Sequence, residues 1–518
     1  MGLYLNPDNK NFYEAINREI YVDKSLLIER LEYLRKKVNK YICVSRPRRF
    51  GKSTDVNMLV AYYSKGCNSH DLFDSLKISN TNIYLNHLNK HNVIYLNMQK
   101  FLNETHNVVK MVELLTKLIF RDIKKEYPDI DYLITTDLTQ IFEDIYSEIG
   151  KRFIFIIDEW DCIFRGYKKD KEAQNYYLDF LTSLLKDQPY VELAYMTGIL
   201  PIKKYGTHST LNMFEEISMI DPELLAEYMG FTEDEVEKLC LQYNISFEDM
   251  KEWYDGYRIT DTLSTFSPRS VVASIIRKKF DNYWTTTETY EALKDYINMN
   301  YDGLKDDIVK LLVKENVPVQ TTSFQNDMST LVNKDDVLTL LIHLGYLGYN
   351  NSNQTCYIPN KEVVDSFVNS IRNSNWNETT KALLNSRELL EATWKKDEDG
   401  VAKYIEEAHL DTSILTYNNE NALAYTISIA YIAARNHYTI VREMPSGEGF
   451  ADLVFIPKGY KPAMIVELKW NKNVNTAISQ IKDKHYPKGL EKYKENLLLV
   501  AINYDRKTKK HQCLIEKV

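Results

Sequence analysis

The sequence predicts an α/β protein. A doubly wound parallel sheet comes first, a helical lid and winged-helix-like middle follow, and a second α/β domain closes the chain. Three observations carry this. Apolar runs at 41–44, 93–98, 153–157 and 191–196 alternate with helical patterns over residues 40–220, the rhythm of a parallel sheet covered by helices on both faces. Helical spacing then dominates as far as residue 435, broken by one strand–turn–strand pattern at 345–359. Two apolar strands return at 451–456 and 463–469. The expected domains are 1–221, 222–385 and 386–518.

Composition bounds the classes that remain. The chain has 518 residues, 44% hydrophobic and 27% charged, as in globular proteins with large cores. No apolar run approaches the ~20 residues of a membrane span, and the first residues lack a basic-then-apolar leader. Cytoplasmic residence, with no membrane partner, is the expectation. Cysteines 43, 67, 162, 240, 356 and 513 lie far apart without a Cys-x-x-Cys pair, which fits scattered thiols rather than a zinc site or disulfide framework. Residues 451–518 hold 13 Lys and 1 Arg against 7 acidic residues, a balance of +7, so the net charge of −8 leaves −15 for residues 1–450. A basic end on an acidic body suggests that the C-terminal part meets an anion. A merely solvated lysine face is the plainer reading of the charge alone.

Residues 6–40 carry Phe12, Tyr13 and Ile16, then a helical pattern from Leu26 to Leu34 that Asp23 or Ser25 could cap. Nothing in this piece looks catalytic. Tyr41–Val44 reads as a buried strand. Ser45-Arg46-Pro47-Arg48-Arg49-Phe50-Gly51-Lys52-Ser53-Thr54 follows, and Val56 to Tyr63 reads as a largely buried helix. Strand, loop, and Gly-Lys-Ser opening a helix is the context of a phosphate-binding loop, the P-loop of NTPases. Amide groups at the helix start point at the anion, and the helix dipole favours negative charge there. Arg49, Phe50, Gly51, Lys52, Ser53 and Thr54 are the candidate ATP contacts. Lys52 would reach the β- and γ-phosphates, and Ser53 would place its hydroxyl on Mg²⁺, with Thr54 a second candidate. Arg46 stands where the usual pattern has glycine, and Pro47 stiffens the loop.

Val93–Met98 reads as a second strand, and 104–125 and 137–150 as amphipathic helices. Phe153–Ile157 is a strand covered on both faces, followed by Asp158-Glu159-Trp160-Asp161. Carboxylates there sit where open α/β sheets bind ligands. Asp158 would hold Mg²⁺ through water, and Glu159 would orient or deprotonate the attacking water. Asp161 reads as a helix cap or a group that orients its neighbours. Val191–Met196 is a fourth strand ending at Thr197, whose hydroxyl could contact the γ-phosphate, the role called sensor 1. A fifth strand is expected at 217–220.

From Pro222 the lid begins, with helices at 223–228, 232–243 and 247–254. Thr232 and Glu235 form a capping box on the second. Trp253-Tyr254-Asp255-Gly256-Tyr257 reads as an aromatic cluster that packs a core, and 268–320 as continued helix. A helix at 337–344 followed by the hairpin at 345–359 suggests a winged helix in a structural or regulatory role.

In the last hairpin, positions symmetric about the Gly459–Tyr460 bond face each other. Asp452 and Glu467 are then cross-strand neighbours with Cβ atoms ~5 Å apart, and Glu467 and Lys469 share a face. Paired carboxylates inside apolar strands repel, and a divalent cation removes the conflict. Asp452 and Glu467 are thus candidate Mg²⁺ ligands, with Lys469 supporting the attacking water or the developing phosphorane charge. Two solvent-facing charges on a hairpin edge is the bland alternative. Glu420 could reach the same metal or simply complement a helix dipole. Gln480 and Lys484, four apart on a following helix, could contact a phosphate or base edge.

The stretches Arg46–Ser53, Tyr21-Val22-Asp23-Lys24, Asp158–Asp161, Thr197-Gly198 and Trp253–Tyr257 together resemble the AAA-ATPase-like family. Its members commonly end in a PD-(D/E)XK nuclease-superfamily domain, matched here by Asp452, Glu467-Leu468-Lys469 and Gln480-Ile481, with Ala451 where the motif has proline. The resemblance implies an AAA/STAND-type ATPase and a C-terminal restriction-endonuclease-like fold. It also implies that an arginine at position 46 belongs to the family's own loop pattern. The expected function is an ATP-hydrolysing switch coupled to a Mg²⁺-dependent nuclease acting on DNA, with a homo-oligomer as the expected assembly if a neighbouring subunit supplies an arginine finger; Arg165 and Arg258 are the candidates. The other class is a nucleotide-dependent binding or scaffold protein whose C-terminal domain holds nucleic acid or protein without cutting it.

Overall fold

The computed structural model describes residues 2–518 except 203–210, 229, 259–262, 285–289, 300, 313–315, 326–330, 373–377, 412–422, 424–426, 428–429, 432, 435–436, 447–448, 473 and 484–487. The chain divides into two compact units. One comprises residues 1–292, 299–304 and 317–366, the other 293–298, 305–316 and 367–518.

The first unit is built on five strands: β1 (Tyr41–Ser45), β2 (Asn92–Asn97), β3 (Phe153–Asp158), β4 (Val191–Gly198) and β5 (Glu215–Ile217). They lie in the order β5-β1-β4-β3-β2, and every pair is parallel. One face packs Ile42, Val44, Ile154, Ile156 and Tyr195 against Val56, Leu59 and Tyr62 of the Lys52–Tyr63 helix. The other packs Phe153 and Phe155 against Phe142 of the Leu138–Ile149 helix and Tyr190. The doubly wound sheet is therefore present. Its fifth strand starts earlier than expected, because Ser218 donates to the Asp221 carbonyl and turns the chain where the strand was placed. The helix expected over 104–125 is two helices, Met98–Thr105 and Val108–Glu126. His106 breaks them in a left-handed conformation, and the Asn107 side chain caps the second. The free edge of β2 is covered by the N-terminal segment: Asn6 N donates to Val93 O and Tyr95 N to Tyr4 O, which shields an open ladder from other chains.

The lid holds the helices Glu233–Tyr243, Phe247–Tyr254 and Pro268–Arg277. The capping box of Thr232 and Glu235 is formed. Between the helices lies an antiparallel sheet that the sequence did not announce, β6 (Phe231–Thr232), β7 (Tyr257–Arg258) and β8 (Ser264–Phe266), in the order β6-β8-β7. Strands of two or three residues are too short to display period-two alternation. Another short strand, β9 (Val317–Pro318), corrects the reading of 268–320 as continuous helix. It joins β10 (Gly348–Asn350) and β11 (Thr355–Tyr357), the hairpin expected after the Lys334–Leu344 helix, in the order β10-β11-β9.

The second unit carries β12 (Tyr438–Ser446), β13 (Gly449–Pro457), β14 (Ala463–Trp470), β15 (Leu497–Asp505) and β16 (Lys510–Lys517), side by side in chain order. Only β14 and β15 run parallel. Met464, Val466, Leu468, Val500 and Ile502 pack with Leu389, Val401 and Ile405 from the helices Glu378–Lys395 and Glu398–Asp411. Ala463, Ile465, Leu499 and Ala501 face Ala477, Ile478 and Ile481 of the Val474–Asp483 helix. The helix expected near 420–434 lies largely outside the described residues, as do Glu420 and Lys484. Among the described residues no helix is long and apolar enough to cross a membrane. All six cysteines are free thiols.

Candidate functional site

The parallel register brings the expected loop-site residues to one edge of the first sheet. Val44 lies beside Thr197, Thr197 beside Asp158, and Asp158 beside Asn97, all at the C-terminal ends of their strands. The loop after β1 curls through left-handed residues at Arg49 (φ 71°) and Gly51 (φ 92°), a shape that turns backbone N–H groups toward a common point. A Cβ at Gly51 would meet no atom within 4 Å, so glycine is needed there for its backbone angle rather than for space. Gly51 is also the N-terminal cap of the Lys52–Tyr63 helix.

Lys52 is buried, and its Nζ donates to the carbonyls of Arg46 (2.8 Å) and Pro47 (2.7 Å). Burial pulls its ammonium down to about 8, while the charges of Glu159 and Asp158 resist that fall. The Ser53 hydroxyl donates to Asp158 Oδ2 at 3.1 Å, and Glu159 N donates to Asp158 Oδ1 at 3.0 Å. Loss of solvent, then the Glu159 charge, pushes the Asp158 carboxyl up to about 6 against the pull of Lys52 and Ser53. Thr197 is fully buried and its Oγ1 has no hydrogen-bond partner.

Glu159 sits in a left-handed conformation, φ 56°. Its carboxylate is ion-paired with Arg165, whose Nε also holds Asp161 Oδ2 at 3.1 Å. Burial opposes the Arg165 charge, but Asp161 and Glu159 more than offset it and its pKa is raised. Asp161 occupies a cap position yet makes no side-chain cap bond. It accepts instead from the backbone N–H of Ile199 (3.1 Å) and Leu200 (2.9 Å), tying the end of β4 to the end of β3. Of the two sequence readings for Asp161, the orienting one is the one realised.

Lys52, Ser53 and Glu159 open into a cavity of about 860 Å³ lined by Arg48 through Asp55, whereas Asp158, Asp161, Arg165 and Thr197 are not on its wall. Its far wall is the N-terminal segment around Tyr21 and the Pro268–Arg277 helix with Arg269. Arg18, Tyr21 and Arg269 were not singled out from the sequence. The one signal available for Arg269 was its place beside Pro268 at a helix start, and for Tyr21 there was none beyond the resemblance. Phe50 lines the cavity, but its ring meets Tyr257 edge-on at 4.9 Å. The Tyr257 hydroxyl donates to Gly345 O, and a Cβ on Gly345 would fall 2.7 Å from Pro47. The expected aromatic cluster is a core, and it seats the loop as well.

Arg46 explains its own presence in the loop. It is 1% exposed, absent from the cavity wall, and its Nη1 donates to Ser218 O beyond β5. A side chain that leaves the phosphate side needs no glycine. Burial lowers its pKa to about 10.

The expected carboxylate pair lies in the second unit. Leu453 pairs with Val466 and Val454 with Ile465, the register anticipated from the turn. At the next step the strands part, and Asp452 Oδ2 accepts from Leu468 N at 2.7 Å. Glu467 is 3% exposed, and its Oε1 is 3.0 Å from Lys469 Nζ. Lys469 neighbours Asn503 across β15. Among the described residues no group of three or more His, Cys, Asp or Glu gathers as a metal cage. Glu420, the proposed third carboxylate, lies outside them, and Gln480 is described only as a position on its helix.

A parallel sheet in this order, with a Gly-Lys-Ser loop after β1 and Asp-Glu at the end of β3, one strand removed, defines a P-loop ATPase-class domain. The mixed sheet with its buried acid–lysine pair defines a nuclease-like one. Residues 9–207 match the family model "Predicted AAA-ATPase", and residues 418–513 match that of the PD-(D/E)XK nuclease superfamily. The chain therefore joins an AAA-ATPase-like domain to a C-terminal PD-(D/E)XK superfamily domain.

Solved structures similar to the chain include the Walker-type ATPase PABY2304 of Pyrococcus abyssi, 14% identical with a TM-score of 0.35, covering 68% of this chain and 97% of that one. PCH-2 of C. elegans is 13% identical with a TM-score of 0.22, over 46% of this chain and 64% of that one. The ORC2 protein of Aeropyrum pernix, solved in ADPNP-ADP complexes, is 11% identical with a TM-score of 0.24, over 69% and 97%. No curated protein matches the chain.

Proposed function

We propose that the first unit binds and hydrolyses ATP with Mg²⁺, and that the second cleaves DNA phosphodiesters with a divalent cation. The observation that carries the first half is a cavity lined by Lys52, Ser53 and Glu159, with Asp158 hydrogen-bonded to Ser53 behind its wall and Thr197 beside Asp158 on the next strand. The donor set fits Mg²⁺: a hydroxyl and a carboxylate already in contact at 3.1 Å, all-oxygen and partly open. Ser53 and Asp158 would hold the ion, which supplies charge neutralisation for the phosphates. Lys52 exchanges the carbonyls of Arg46 and Pro47 for phosphate oxygens. Arg49, Phe50, Gly51 and Thr54 contribute backbone N–H groups or loop geometry, and Thr197 faces the γ-phosphate. Glu159 takes a proton from the attacking water after release from Arg165.

In the second unit Asp452 and Glu467, with Glu420 as a possible third donor, would hold the cation that polarises the phosphodiester. Lys469 stabilises the charge that develops on phosphorus. Nucleic acid is the partner that the basic end of the chain favours. Arg165 is engaged by Glu159 and Asp161 of its own chain, which leaves Arg258 as the candidate finger for a homo-oligomer. ATPase activity that rises more than linearly with protein concentration would support such an assembly.

The binding-only class is tested with Glu467→Ala. Metal-dependent cutting that disappears while ATP binding survives supports the nuclease. Absence of cutting in the unsubstituted chain, with DNA still bound, supports the scaffold reading.

A further inference from the structure

Glu159 lines two cavities. The second, about 950 Å³, lies over the C-terminal ends of β2 and β3 and shares only Arg48 and Glu159 with the nucleotide cavity. Its walls are the segment from Gly2 to Asn11, the end of β2 at Asn97, the start of the Met98–Thr105 helix, and Arg165. It is as roomy as a cofactor-sized pocket.

The charges in it are arranged around the ATPase base. Arg48, Lys100 and Arg165 line it together with the carboxylates of Asp8, Glu104 and Glu159, and Arg165 is the residue ion-paired with Glu159. Lys100 is exposed, and its Nζ lies 5.9 Å over the Tyr4 ring. Carboxamides of Asn57, Asn97 and Gln99 add donors and acceptors to the wall. Guanidinium and ammonium groups facing a shared space are the usual partners of a phosphoryl group, and carboxamides suit the polar body of a larger molecule.

We infer that this cavity is a second ligand site, for a small phosphate-bearing molecule, and that its occupant draws Arg165 away from Glu159. The shared chemistry is a phosphoryl dianion. It has two possible sources, orthophosphate released from the neighbouring site or the phosphate of a mononucleotide. Arg165 cannot hold Glu159, Asp161 and an incoming dianion at full strength, so binding in the second cavity loosens the base that the ATPase reaction needs. This coupling rests on the ATPase reading above, whereas the binding itself does not.

The test uses the full chain carrying Lys52→Ala, which disables the nucleotide cavity, titrated calorimetrically with orthophosphate and with AMP. Binding is expected to survive Lys52→Ala and to weaken about tenfold when Lys100→Ala is added, the loss of one charge-assisted contact. AMP binding more tightly than orthophosphate assigns the site to a nucleotide, and equal affinities assign it to the released phosphate. Lys100→Arg should restore binding. Failure of both ligands to bind Lys52→Ala, or binding indifferent to Lys100→Ala, overturns the proposal. In the unsubstituted chain at saturating ATP, the ligand that binds should raise turnover, and Lys100→Ala should abolish that rise. No ATP turnover under any condition would defeat the ATPase reading, while the calorimetry would still decide the site.

Discussion

Replacing Asp158 with asparagine should stabilise the ligand-free protein, although it removes a central group of the loop site. Asp158 is 1% exposed, and its carboxyl is pushed from an ordinary 3.8 up to about 6 by loss of solvent and the neighbouring Glu159. A raised carboxyl pKa means that the folded state holds the proton more tightly than the unfolded chain. The stability so contributed is complete below about 3.8 and is lost as pH rises through about 6. Integrated over that window, the ionised carboxylate costs about 3 kcal/mol at pH 8 and about 0.5 kcal/mol at pH 4. Asparagine has the same shape. Its Oδ1 can still accept from Glu159 N, and its Nδ2 can donate to Ser53 Oγ, so both existing contacts keep a partner. Asp158→Asn should therefore exceed the unsubstituted protein by about 2–3 kcal/mol at pH 8, with the gap nearly closed at pH 4. Urea unfolding without nucleotide or metal, at both pH values, reads this directly. A variant that is less stable at pH 8, or a gap that does not change with pH, refutes the reasoning. With Mg²⁺ and ATP present the order should reverse, because the ligand stabilises only the chain that binds it.

Three other outcomes follow from the same geometry. Thr197→Val removes a buried hydroxyl that has no partner, so stability should hold or rise by about 1 kcal/mol; kcat for ATP should fall about tenfold or more with KM nearly unchanged, as steady-state kinetics would show. Lys469→Ala leaves the Glu467 carboxylate buried without its 3.0 Å partner, and should cost about 3 kcal/mol in urea unfolding. The double variant Glu467→Gln/Lys469→Met should recover most of that loss while staying inactive in cleavage. Tyr257→Ala opens a hole beneath Phe50 and cuts the hydrogen bond to Gly345, so it should lower stability by about 3–5 kcal/mol and raise KM for ATP; normal ATP binding would mean that the aromatic seat does not hold the loop.

The loop site was legible because its signals are local. Strand, Gly-Lys-Ser turn and helix start are contiguous from Tyr41 to Tyr63, and Asp158 and Thr197 each end an apolar run. The hairpin register was legible for the same reason: one turn fixes which residues face each other, and Leu453 against Val466 follows from it. What the hairpin could not reveal was that its paired register stops at Leu453, where the Asp452 side chain takes the backbone N–H of Leu468 instead. Groups that reach a site from far along the chain left no pattern. Tyr21 and Arg269 come to the nucleotide cavity from segments almost 250 residues apart in sequence. The Arg165 clamp on Glu159 is a side-chain choice that spacing does not fix. The exit of Arg46 toward Ser218 likewise depends on β5 lying beside β1, an order no single strand encodes.

We propose, beyond the two separate activities, that ATP chemistry in the first unit governs phosphodiester chemistry in the second. The most direct test is cleavage of linear, circular and single-stranded DNA by the purified chain with Mg²⁺ or Mn²⁺, with and without ATP, beside Lys52→Ala and Asp452→Ala. Metal-dependent cutting that is lost in Asp452→Ala, and whose response to ATP is lost in Lys52→Ala, is the predicted result. Cutting that survives Asp452→Ala, or that ignores both ATP and Lys52→Ala, would contradict the account.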